Sequence, residues 1–191
     1  MSPAAAWALG LWLLCSALSV WNWLPTGLGP AATLRQTRRA QVGVLVGLMV
    51  LAVGGGALAA SAAPVTGPWR WVAGVLAAAF AVLGGGAVTT SILGLAGDIA
   101  PTTARVQRDV LRGGTWIGAL ERLALLGMLM SGWPEGLAAI VAIKGLARYP
   151  ELRTSTVSGS GANERFIVGT FASLGWAAVT AWALTSLLTG R

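Results

Sequence analysis

Histidine is absent from this chain, cysteine occurs once, and six acidic residues stand against 13 Lys and Arg. Each shortage removes chemistry. Without imidazole there is no Ser-His-Asp or Cys-His arrangement, and no His-ligated zinc, iron or haem. A lone Cys15 cannot form an internal disulfide and leaves the redox compartment undefined. Charge as a whole is scarce, at 10% of residues against about 25% in soluble domains. The chain has too little polar surface for a water-exposed globule.

What fills the sequence is apolar: 55% hydrophobic residues, 27 glycines and a mean hydropathy of +0.74. Several runs reach or approach the ~20 residues that cross a ~30 Å hydrocarbon core. This predicts an all-α, polytopic transmembrane helix bundle of six membrane helices in one integral membrane domain, residues 1–191. Gly-rich helices occupy 1–112 and a charged-hairpin half occupies 113–191. The six segments are Pro3–Leu24, Ala40–Ala62, Trp71–Leu95, Thr115–Gly132, Glu135–Ala147 and Arg165–Leu188. Barrel strands of ~10 residues with alternating faces do not match such continuous runs. The first segment has no Lys or Arg before it, no A-x-A site after it, and Leu14 before Cys15. It reads as a retained helix rather than a cleaved signal peptide.

Basic residues cluster in three places: Arg35, Arg38 and Arg39; Arg105, Arg108 and Arg112; Arg148, Arg153 and Arg165. The intervening loops carry only Arg70, and the C-terminus Arg191. The positive-inside rule places the basic loops in the cytoplasm and both termini outside it, in a bacterial cytoplasmic (inner) membrane. It also accounts for the net charge of +7 without a nucleic-acid partner. Tryptophans agree with this arrangement, since they favour interfaces. Trp7, Trp69, Trp71, Trp133 and Trp182 fall near the outer one, and Trp21, Trp23 and Trp116 near the inner one. Trp12 and Trp176 sit deep.

Segments two and three share an echo, "VGGGALAAS" (Val53–Ser61) and "LGGGAVTTS" (Leu83–Ser91). Folding them about Thr66 and Gly67 sets Gly47 opposite Gly86 and Gly55 opposite Ala78. Small residues allow close helix approach, so Gly43, Gly47, Gly54, Gly55 and Gly86 are expected to pack. "DIAPTTARVQRDVLRGG" suits either a short interfacial helix with Arg105, Arg108 and Arg112 on one face or an ordinary basic loop. "RTSTVSGSGA" (Arg153–Ala162) reads as a linker, followed by Asn163 as an N-cap and Glu164 in the first turn of segment six. "GSG" at Gly159–Gly161 lacks the context of a nucleotide fingerprint.

The stretch Gly113–Leu152 is different: its two short apolar arms carry Glu121, Arg122, Lys144 and Arg148. Each arm covers roughly 17 Å, about half a bilayer, so the pair either crosses inside protein or re-enters from the cytoplasmic side. Reflected about Trp133–Pro134, Glu121 lies level with Leu146, within reach of Lys144 or Arg148. Arg122 projects about 100° away and must find something else, Glu164 or a lipid phosphate. Snorkelling accounts for Arg148 and Lys144 but not for the shorter Glu121. A structural ion-pair cluster and a ligand or ion site both remain open.

The stretches "IGALERLAL", "AIKGLARYPEL" and "NERFIVGTFAS" resemble the C-terminal half of an uncharacterised family of bacterial polytopic membrane proteins. The resemblance spans roughly Gly113 to Ser173. Gly145 stands where a Ser is usual, and Arg165 and Phe166 follow Glu164 where a Tyr is usual. It implies membrane residence and a site drawn from Glu121, Arg122, Lys144, Arg148, Glu164, Gly169 and Thr170, with no activity attached.

The expected function is non-enzymatic: binding and moving an anionic, lipid-like amphiphile at the cytoplasmic leaflet, its phosphate met by Arg122, Lys144 and Arg148. One alternative is an accessory subunit of a larger membrane complex or a homo-oligomer, docked through the Gly-rich faces. Another is an ion or proton pathway through Glu121. No cofactor, metal or catalytic residue is expected.

Overall fold

The computed structural model describes residues 2–20, 38–96, 106–154 and 161–190. Trp21, Trp23, Arg35, Arg105, Arg191 and residues 155–160 of the Ser/Gly linker lie outside them. The described residues form six helices. They are α1 (Pro3–Val20), α2 (Arg38–Ser61), α3 (Trp69–Ala96), α4 (Val106–Met130), α5 (Gly136–Thr154) and α6 (Gly161–Thr189). Four stretches, Pro3–Val20, Val42–Ser61, Trp69–Leu95 and Glu164–Thr189, are long and apolar enough to cross a membrane. The chain is an all-α, multi-pass membrane protein. The apolar part of α5, Gly136–Ala147, is shorter, roughly 18 Å at 1.5 Å per residue.

Helix α4 starts at Val106, well before the expected Thr115. The positions of Arg108 and Arg112 therefore belong to the first turns of one continuous helix, neither a loop nor a separate interfacial helix. The division at 112/113 falls inside it. Gly113 and Gly114 each cost about 1 kcal/mol against Ala in such a position. A break near lipid would cost more, because it would leave backbone groups unsatisfied. Helix α5 likewise runs past Ala147 to Thr154, through Pro150, which forfeits one backbone hydrogen bond. Helix α6 opens at Gly161, so Asn163 sits within its first turn rather than at the cap, and Glu164 meets the positive end of the helix dipole.

One tertiary hydrogen bond and one close contact fix one end of the bundle. Val65 N–H, between α2 and α3, donates to the Leu187 carbonyl at 3.0 Å. Thr185 Oγ1 of α6 reaches Met130 Sδ of α4 at 3.6 Å. The α2–α3 loop, the α4–α5 turn and the end of α6 therefore lie together. The positions of Arg38, Arg39, Arg108, Arg112, Arg153 and Arg165 lie towards the opposite, basic end.

The α4–α5 turn is a Schellman cap. Gly132 has φ +75°, Gly132 N–H donates to Leu129 at 3.2 Å and Trp133 N–H to Met128 at 2.9 Å. Pro134 follows at once and prevents the helix from continuing.

The core is an aromatic column contributed by three helices. Trp12 of α1 stacks on Phe80 of α3 with ring centroids 5.8 Å apart, and Phe80 meets Trp176 of α6 at 4.9 Å. Trp12 and Trp176 are buried, while Trp7, Trp69, Trp71, Trp116, Trp133 and Trp182 are exposed. Between Phe80 and Gly84, α3 makes a single π-helical turn. The Phe80 carbonyl, at the start of that turn, accepts a hydrogen bond from Trp176 Nε1 at 3.0 Å. A side chain bonded to the backbone in this way is one of the recognised companions of a helix irregularity.

The glycine echo serves these tryptophans. A Cβ on Gly84 would stand 2.7 Å from Trp176 Cζ2, one on Gly55 3.0 Å from Trp12 Nε1, and one on Gly56 2.9 Å from Trp182 Cζ3. Gly43, Gly47 and Gly54 have open space instead, which departs from the seam expected between the two echoing stretches. Gly86 is half-buried, and its carbonyl accepts from Thr90 Oγ1 at 3.0 Å. The large partners come from α1 and α6, so folding α2 on α3 alone cannot locate the contacts. Gly84→Ala should accordingly lower the thermal midpoint, by about 1–3 kcal/mol of overpacking. Gly47→Ala should leave it unchanged or raise it, since Ala is the better helix former. A tolerated Gly84→Ala would show that Trp176 is not seated there.

Candidate functional site

Glu121 and Arg122 are neighbours on α4, and their side chains leave the helix in different directions. Glu121 turns to α5, where Lys144 Nζ donates to its Oε2 at 2.5 Å. Their side chains are 13% and 21% exposed, respectively, so the pair is largely shielded. It is the one ion pair among the described residues, and it ties α5 to α4.

Arg122 turns instead into the bundle, and only 3% of it is exposed. Its stem lies over Gly85 of α3, where a Cβ would stand 2.5 Å from Cδ and 2.9 Å from Nε. Its tip passes Gly118, one turn back on α4, at 3.4 Å from a Cβ placed there. Nη1 donates to Ser173 Oγ of α6 at 2.9 Å. Nε is buried with no hydrogen-bond partner, and so is Thr170 Oγ1, on the α6 turn before Ser173.

The depth of this group follows from helix rise. Ser173 lies about 14 Å along α6 from Glu164 and about 24 Å from Thr189. Gly85 lies about 15 Å along α3 from Leu95 and about 24 Å from Trp69. Both helices place the guanidinium well inside the span, displaced towards the basic end. A charged side chain at such depth costs about 2.5–3.5 kcal/mol unless it is compensated. One hydroxyl compensates it only in part.

The remaining sequence-derived positions divide. Arg148 belongs to α5, and its side chain lies outside the described residues. Glu164 is exposed at the start of α6, about nine residues from Ser173, and is not the partner of Arg122. Gly169 packs on Leu93 and Thr89 of α3 at ordinary contact distances. Thr170 is 8% exposed and faces the interior. Three residues of the site were not singled out beforehand: Gly85, Gly118 and Ser173. A Ser three residues after Thr170, on the same helix face, was the available signal.

Comparisons with protein-family models, with curated proteins and with solved structures found no match to this chain.

Proposed function

We propose that this protein binds an anionic, lipid-like amphiphile and that Arg122 supplies the attraction. One observation carries the reading: a guanidinium buried among α3, α4 and α6 with no ion-pair partner among the described residues. Lys144 is already neutralised by Glu121, so of these two cations Arg122 provides the excess charge. On this reading the basic end faces the cytoplasm of a bacterial inner membrane, where anionic headgroups meet the Arg-rich ends of the helices. Helices α4 and α5 then form the hairpin beside the entry route. No catalytic role is assigned.

The test is lipid-dependent stability of the purified, delipidated protein. Phosphatidic acid at about 100-fold over its Kd should raise unfolding free energy by about 2.7 kcal/mol. Phosphatidylcholine of the same chain length should give no comparable rise, and native mass spectrometry should show the anionic lipid retained. Equal stabilisation by both lipids would refute the proposal and favour hydrophobic solvation of a complex subunit.

A further inference from the structure

Thr170 is a buried threonine whose hydroxyl has no partner, one helical turn from a buried arginine whose Nε has none. Threonine within a helix usually returns its hydroxyl to a carbonyl of its own preceding turn. Thr180, Thr185 and Thr189 of α6 all do so, at 2.9, 2.9 and 2.8 Å. Thr170 does not.

Its direction follows from its stripe on α6. Thr170, Leu174 and Ala177 recur at four- and three-residue spacing, and the latter two join Leu125 of α4 in one buried cluster. Thr170 therefore lies on the α4-facing side, one turn nearer the basic end than Ser173. Counted from the Met130–Thr185 contact, Thr170 is level with Thr115 on α4, and Gly118 lies about 4.5 Å further along the axis. At Gly118, one turn further along α4, the Arg122 tip lies against the helix.

We infer that Arg122, Thr170 and Ser173 together hold an oxyanion, a phosphate or carboxylate head, between α4 and α6 deep inside the membrane span. The inference rests on the anionic-amphiphile reading and adds the place and the ligands. Arg122 supplies the charge and the two hydroxyls donate, which suits an acceptor-only group with several oxygens. Gly85 leaves room against α3 for the Cδ–Nε stem of Arg122. Because Thr170 and Ser173 lie about 9 and about 14 Å along α6 from Glu164, an anion held between them has left the interface. Such a site belongs to a protein that moves a headgroup inward, not one that stores it at the leaflet.

The experiment is a titration of the purified full-length protein with three probes: phosphatidic acid, oleate and inorganic phosphate. Binding is read by native mass spectrometry and by thermal shift. Thr170→Val should weaken binding of phosphatidic acid roughly 10- to 100-fold, the loss of one hydrogen bond to a charged group. Its ligand-free thermal midpoint should not fall, because an unpartnered hydroxyl has been removed. Thr170→Ser should retain binding within a few-fold. If inorganic phosphate shows the same Thr170 dependence, the site accepts a free anion. If only the two amphiphiles do, the head must arrive on a lipid. Both results support the site. Equal binding of phosphatidic acid by the parent and Thr170→Val overturns the site while leaving the anion reading intact. No binding of any probe by the parent overturns both.

Discussion

Arg122→Met should raise the thermal midpoint of the protein in neutral detergent and eliminate its stabilisation by phosphatidic acid. Removing a charge from the middle of the span returns about 2.5–3.5 kcal/mol. Ser173 loses its donor at 2.9 Å, at a cost of about 1–3 kcal/mol. The balance favours the variant by about 1 kcal/mol, since the methionine stem still covers Gly85. The lost lipid effect, about 2.7 kcal/mol at 100-fold over Kd, is the larger signal. Opposite signs in the two conditions are what distinguish an anion-binding arginine from a structural one. A variant that is less stable with and without the lipid would show that Arg122 is there to hold the helices together.

Breaking the Glu121–Lys144 pair should have the reverse signature. Glu121→Gln or Lys144→Met strands one charge in a shielded position and should each cost on the order of 2–4 kcal/mol. The double variant should regain much of that loss, because neither charge then remains to be desolvated. Lys144 reaches Glu121 on the α5 side, away from Ser173, so stabilisation by phosphatidic acid should survive Lys144→Met. Denaturation of the four proteins, with and without the lipid, completes the cycle. Single variants as stable as the parent would mean that the pair is solvated. Loss of the lipid effect in Lys144→Met would return that lysine to the binding site.

That Glu121 would meet Lys144 or Arg148 was legible because a hairpin has a simple mirror: once the turn is placed at Trp133–Pro134, levels on the two arms follow by counting. The apolar helices were legible for the same local reason, since the runs themselves are continuous. The destination of Arg122 was not. Ser173 is 51 residues away and lies on a helix whose rotation no short-range pattern fixes. The seats of the tryptophans were hidden likewise, because Trp176 and Phe80 are 96 residues apart. The early start of α4 was masked by Arg108 and Arg112, whose charge suggested a loop while their helix propensity is high.

The π-helical turn at Phe80–Gly84 has a further consequence, for how α3 is paced. An extra residue within one turn rotates everything after it by about 100° relative to an unbroken α-helix. The two halves of α3 are therefore screws cut on the same axis but started at different angles. Before the offset, the thread carries Ala73, Ala77 and Phe80 into the Trp12 column; after it, Gly85 comes round beneath Arg122. Counting in threes and fours across the offset assigns residues to the wrong face. The chain thus presents an aromatic seat and a cation seat from one helix, a quarter-turn out of step.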